Sequence, residues 1–248
     1  MDAPLELTPE ELNNFRVNGN YVLVEITHHV ADDRTKSGIY IVNDMSEIRA
    51  NSIESGEAVD LSAHLDRFGT VVKVPSTLAF SGEGKLDPNK MEWKTMVETE
   101  IGDTVWFDYR NGYYSQRFKC EGRDLRLIPY SALIVAKKSD TIKPLNGYVI
   151  CTRINEGLKS KYLILEEKIN TQRGIVKYVG KPNKAYANPK NPIIKEGAIN
   201  VGDTVTFSQN FEVLLENVLH LHLDNDKEEL RCIQDRYIVG VYGKEDNN

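Results

Sequence analysis

Two heptapeptides decide how this chain is read: IGDTVWF at residues 101–107 and VGDTVTF at residues 201–207. Each sets Gly-Asp ahead of a short β-forming run. Glycine supplies the unusual φ of a tight turn, and aspartate can bond its own backbone two residues on. Working outward, five further pairs fall in the same order. Asn20–Val24 (NYVLV) matches Gly147–Cys151 (GYVIC). Lys36–Val42 (KSGIYIV) matches Lys159–Leu165 (KSKYLIL). Phe68–Val74 (FGTVVKV) matches Arg173–Val179 (RGIVKYV). Leu125–Ile128 (LRLI) matches Leu230–Ile233 (LRCI), and Ala132–Ala136 (ALIVA) matches Tyr237–Val241 (YIVGV). Six collinear matches imply two copies of one unit.

The rest of the chain fits short strands, with Val, Ile, Tyr and Thr in runs bounded by Gly, Pro, Asn and Asp. One helix is expected in LTPEELNNF: Thr8 as N-cap, Pro9 at the first helical position and Glu11 closing a capping box. A weaker helical pattern lies in Asp60–Phe68. The KS pairs stand 123 residues apart and the Gly69/Gly174 pair 105 apart. The first copy therefore holds about 18 extra residues, within a polar insertion at 43–67. The expected organisation is an N-terminal helical arm (1–16), a first unit (17–138), a second unit (142–243) and a tail (244–248). Many short strands and turns favour small closed barrels, which leave no exposed edge. The fold class expected is all-β: two tandem barrels with a short N-terminal helix.

Bulk composition narrows the function. The 248 residues carry a net charge of −6. Residues 1–140 hold 16 Lys+Arg against 23 Asp+Glu, and the remainder hold 15 against 14. That balance argues against a nucleic-acid partner, which needs a basic face. No apolar run reaches the length of a membrane helix, and the acidic N-terminus lacks an apolar signal core. Three widely spaced cysteines, Cys120, Cys151 and Cys232, read as reduced thiols of a cytoplasmic protein.

The order of motifs resembles the GroES-type co-chaperonin family: a strand like NYVLVEI, a loop ending in an aliphatic tripeptide, a strand like GTVVKV, a roof hairpin, a Gly-Asp turn before a strand, and a final aliphatic strand like ALIVA. The pattern fits twice. The resemblance implies two tandem GroES-like barrels, similar in layout to the double-domain co-chaperonins of plastids. It also implies a non-enzymatic role, in which a homo-oligomeric ring caps a chaperonin cage and assists protein folding. The docking tripeptide maps to Ile39, Tyr40 and Ile41, with Val42 next, and in the second copy to Tyr162, Leu163 and Ile164, with Leu165 next. The family usually has a Gly pair before an Ile-Val-Leu tripeptide. Here Gly38 stands alone, Lys161 replaces it in the second copy, and the long roof of the first copy carries Phe80, Met91 and Trp93.

In an extended chain Ile39 and Ile41 share one face, with Tyr40 and Val42 on the other. Neither face is polar, so both need cover, from the chain's own core or from a partner. Two or three such side chains, at about 1.5–3 kcal/mol each, grip weakly once ordering costs are met. A ring of copies makes that grip multivalent. The alternative function is architectural: a subunit of a viral particle or other large assembly that reuses the barrel. Other motifs are weaker. His220 and His222 share a strand face near Asp224 but lack further ligands for a metal, and His28 and His29 point apart. Gly82–Lys85 (GEGK) lacks the hydroxyl residue of a phosphate loop. No nucleophile elbow or Cys-x-x-Cys occurs, so neither catalytic residues nor a cofactor are expected. Trp106 reads as core, and Tyr113-Tyr114 as a hairpin tip.

Overall fold

A computed structural model of the chain describes residues 3–26, 68–81, 90–91, 94–107, 111, 115–156, 168–181, 199–207, 219–221 and 230–243. Most described residues are strand. The first half contains β1 (Leu5–Glu6), α1 (Pro9–Asn14), β2 (Tyr21–Ile26), β3 (Phe68–Lys73), β4 (Thr104–Phe107), β5 (Gln116–Cys120), β6 (Arg123–Pro129), β7 (Leu133–Lys138) and β8 (Thr141–Pro144). The second contains β9 (Tyr148–Glu156), β10 (Lys168–Val179), β11 (Thr204–Phe207), β12 (Leu219–Leu221), β13 (Leu230–Gln234) and β14 (Ile238–Tyr242). They form two sheets, ordered β1-β5-β6-β2-β3-β4-β7-β8 and β12-β13-β9-β10-β11-β14.

Five of the six paired sequence segments occupy equal places in the two sheets, and the sixth, Lys36–Val42 with Lys159–Leu165, lies outside the described residues. Removing β1 and β8 leaves the same six-strand order in both. The registers agree as well. Leu23 opposes Lys73 and Leu127, as Ile150 opposes Tyr178 and Cys232. A bulge separates Trp106 from Phe107 where they meet β7, and another separates Thr206 from Phe207 where they meet β14. The Gly-Asp turns also coincide. Gly102 and Gly202 have φ 92 and 93, and their N–H groups donate to Val71 and Val176 O, both at 2.8 Å. Asp103 Oδ2 accepts from Glu100 N at 2.8 Å, and Asp203 Oδ2 from Asn200 N at 2.7 Å.

The all-β class is as expected, and among the described residues neither sheet closes into a barrel. In the first sheet the edges that closure would join are already taken: β1 lies parallel along β5, and β8 pairs with β7. In the second, β12 and β14 are the two ends of the ladder. Among the described residues each unit contributes six shared strands.

The helix forms where its caps require. Thr8 Oγ1 accepts from Glu11 N at 3.2 Å, and Glu11 Oε2 accepts from Thr8 N at 2.8 Å. The weaker helical pattern over 60–67 lies outside the described residues, and Phe68 opens β3. Residues 136–141 belong to a β7–β8 hairpin, with Ser139 at φ 51. The chain crosses between sheets through Leu145-Asn146-Gly147. Both central residues of that turn have positive φ, and Tyr148 N donates to Leu145 O at 2.9 Å, the arrangement that favours Asn-Gly. The buried Asn146 side chain donates to Tyr130 O at 2.7 Å and Leu133 O at 2.8 Å.

Strand β2 is buried on both faces. Val22, Val24 and Ile26 join an inner core with Val71, Val105, Phe107, Ile128 and Leu133. Met91 of the roof also buries there and exchanges backbone hydrogen bonds with Ala79 and Ser81, with Phe80 packed alongside. The roof is thus partly a plug for its own core. Trp93 lies outside the described residues.

Candidate partner-binding surfaces

The segments Ile39–Val42 and Tyr162–Leu165 both lie outside the described residues. The sheets nevertheless fix where they connect. The first belongs to the connection from β2 to β3, the second to the connection from β9 to β10. These are equivalent hairpins: Ile26 opposes Gly69, and Arg153 opposes Gly174. Each glycine lies against the neighbouring strand so closely that an added Cβ would sit 2.2 Å from Glu25 O or 2.7 Å from Thr152 O. The strands are therefore clamped at the mouth of the first connection, and in the second unit at a point from which the ladder runs on to Glu156 and Lys168.

The described surface offers a second kind of contact. Between the two units, Ile134 and Val135 of β7 and Trp106 of β4 pack onto Tyr148, Ile150, Leu230 and Cys232, with Ile142 of β8 alongside. Trp106 is therefore an interface residue, stacked on Phe68 at 6.0 Å, rather than part of the inner core. The buried Glu98 carboxylate lies 3.2 Å from Lys143 Nζ and 3.6 Å from Lys181 Nζ, so it faces cations that precede β9 and follow β10.

The same two faces recur with different cover. The face of the first unit that matches Ile150, Leu230 and Cys232 carries Leu23, Leu125 and Leu127. It is covered by the N-terminal arm through Leu7, Leu12, Phe15 and Val17. Phe15 meets the ring of Phe118 edge-on at 5.4 Å. The face of the second unit that matches Ile134 and Val135 carries Val239 and Gly240. Ile134 is fully buried, whereas Val239 is 65% exposed and Tyr242 52% exposed. Arg173 lies over the Tyr242 ring at 5.5 Å.

This asymmetry was missed in the sequence, where ALIVA and YIVGV read as equivalent apolar strands. The signal that distinguishes them is the pair of residues across the ladder. Trp106 and Val135 in one unit become Thr206 and Gly240 in the other.

The remaining candidates are chemically quiet. Among the described residues no cluster of three or more His, Cys, Asp or Glu side chains is placed to hold a metal. His220 lies in the short strand β12, while His28, His29, His222, Asp224, Gly82–Lys85, Tyr113 and Tyr114 lie outside the described residues. All three cysteines are buried and unbridged. Burial pushes the Cys151 thiol up to about 12 and raises Cys232 well above its ordinary range, so neither is a ready nucleophile. Among the described residues no helix is long and apolar enough to cross a membrane. No family model and no curated protein matches this chain.

Proposed function

We propose that this chain is a non-enzymatic, co-chaperonin-like protein built of two tandem GroES-like barrels, which caps a chaperonin cage through the apolar segments Ile39–Val42 and Tyr162–Leu165. The observation that supports the reading is the equivalence of the β2–β3 and β9–β10 connections. In each unit the sequence that joins this equivalent pair of strands carries an apolar segment. Two weak apolar contacts per chain, multiplied around a homo-oligomeric ring, give a grip that is firm yet releasable. The site of action is the cytoplasm. The decisive experiment is ATP-dependent co-sedimentation with a chaperonin ring. The Ile39→Asp/Ile41→Asp variant should fold normally and lose co-sedimentation. Retained binding in that variant refutes the segment's role.

A second reading is favoured by a specific observation, the exposed apolar residues Val239, Val241 and Tyr242 on the edge strand β14. A strand of that kind suits a structural subunit packed among neighbours, as in a viral particle. Native mass and symmetry separate the two. A closed ring matching the chaperonin supports the cap, and a larger lattice supports the building block.

A further inference from the structure

The sequence holds three Asn-Gly dipeptides: Asn18-Gly19, Asn111-Gly112 and Asn146-Gly147. A glycine in second place leaves its main-chain nitrogen unshielded by any Cβ, so that nitrogen can attack the asparagine Cγ. The new N–Cγ bond closes a succinimide ring, the Cγ–Nδ2 bond breaks, and the amide leaves as ammonia with the proton of the glycine N–H. Water then opens the ring at either carbonyl. One product is aspartate. The other is isoaspartate, whose main chain runs through the former side chain and is one carbon longer.

The fold treats two of these dipeptides in opposite ways. Asn146 is 1% exposed. Its Nδ2, the group that would leave, donates to Tyr130 O at 2.7 Å and Leu133 O at 2.8 Å. Gly147 O accepts from Asp235 N at 2.8 Å, so the backbone on the far side of the bond is tied as well. Asn18 and Gly19 are exposed, between α1 and β2. Among the described residues no hydrogen bond holds either of them. Gly19 turns through φ 72, and a Cβ there would meet nothing closer than 3.8 Å. The flanks of this open joint are anchored. Val17 packs against the outer core with Leu12 and Phe15. Asn20 is buried: its Nδ2 donates to Ala79 O at 2.8 Å, and its Oδ1 accepts from Ala79 N at 2.7 Å. Strand β2 begins only at Tyr21, so an extra main-chain carbon at residue 18 breaks no ladder contact.

We infer that Asn18 is a site of spontaneous covalent modification in the folded protein, converting to isoaspartate and aspartate, while the fold preserves Asn146 as asparagine. The product is an exposed isoaspartyl carboxylate, which makes the aged chain a substrate for an isoaspartyl O-methyltransferase. The inference does not rest on the proposed function.

The test is to age the full-length protein in mildly alkaline buffer, folded and in parallel in urea, and to follow each dipeptide by peptide mapping with mass spectrometry. Isoaspartate is located with an isoaspartyl O-methyltransferase and labelled S-adenosylmethionine. In the folded protein the Asn18 peptide should deamidate at least about tenfold faster than the Asn146 peptide and should carry methyl label. Reaction at Asn146 first requires a local opening that breaks its two buried hydrogen bonds. In urea the two rates should become alike. Asn111-Gly112 falls on a separate peptide and does not enter the comparison. The inference is overturned if Asn18 stays intact in the folded protein, whatever happens in urea. It is equally overturned if folded Asn146 reacts as fast as Asn18.

Discussion

Replacing Gly69 with alanine would drive a methyl group to 2.2 Å from Glu25 O and 2.6 Å from a Val24 methyl. The first contact is more than an ångström inside ordinary van der Waals separation, and its partner is backbone, so no rotamer change relieves it. Nor can the strands simply part, because β2 is held on its far side by β6 and β3 by β4. We expect a loss of about 3 kcal/mol, the upper end of core overpacking. At a urea m-value of about 2 kcal/mol/M, the midpoint should fall by roughly 1.5 M. Both tryptophans, Trp93 and Trp106, lie in the first half of the chain, and Trp106 stacks on Phe68 beside the mutated position. Tryptophan fluorescence therefore follows the affected unit during urea unfolding. Gly174→Ala meets Cys151 Sγ at 2.5 Å and Thr152 O at 2.7 Å, a smaller intrusion, and should cost about 2 kcal/mol. Gly240→Ala meets nothing closer than 3.6 Å and should stay within about 0.5 kcal/mol of wild type. A Gly69→Ala protein as stable as Gly240→Ala would refute the clamping argument.

Three further outcomes are expected. Asp103→Ala and Asp203→Ala each remove the carboxylate that accepts Glu100 N or Asn200 N, and each should cost about 1–2 kcal/mol in urea unfolding. Asn146→Gly keeps the left-handed turn but deletes two buried hydrogen bonds. It should cost about 2–3 kcal/mol, and Asn146→Ala should cost more by the strain of its φ. The Cys151 thiol is held near 12 when folded against an ordinary 9.0. Its folded form keeps a proton that the unfolded chain loses, so stability is full below about pH 9 and declines from there towards pH 12. Alkylation at pH 8.5 should accordingly proceed only at the rate of unfolding, and rapid modification of native Cys151 would contradict its burial.

The repeat was legible in the sequence because turns and β-ladders constrain single residues. Gly102-Asp103 and Gly202-Asp203 must recur wherever the same turn is built, and Gly69 and Gly174 wherever two backbones meet without a side chain between them. The capping box was legible for the same local reason. Sheet closure was not, because it depends on what else reaches the edges. Nothing in PLELT or KSDTIKP announces that these segments pair with β5 and β7. The difference between the outer faces was hidden too, since β2 and β9 are buried on both sides by different partners. An apolar residue such as Leu23 or Ile150 shows that cover exists without naming it.

Strand β2 has two ladder partners, β3 and the more distant β6, and across the second ladder Tyr21 meets Pro129 and Glu25 meets Leu125. Such a pairing encloses nearly the whole first half of the chain, and its loop-closure entropy must be overcome before any ladder contact rewards it. At about 5–20 residues per second, the ribosome delivers the partner strand several seconds after YVLVEI emerges. During that interval β2 has β3 to pair with, and its β6 side lacks a ladder partner. The order of synthesis thus leaves the sheet of the first unit incomplete until Arg123–Pro129 has been made.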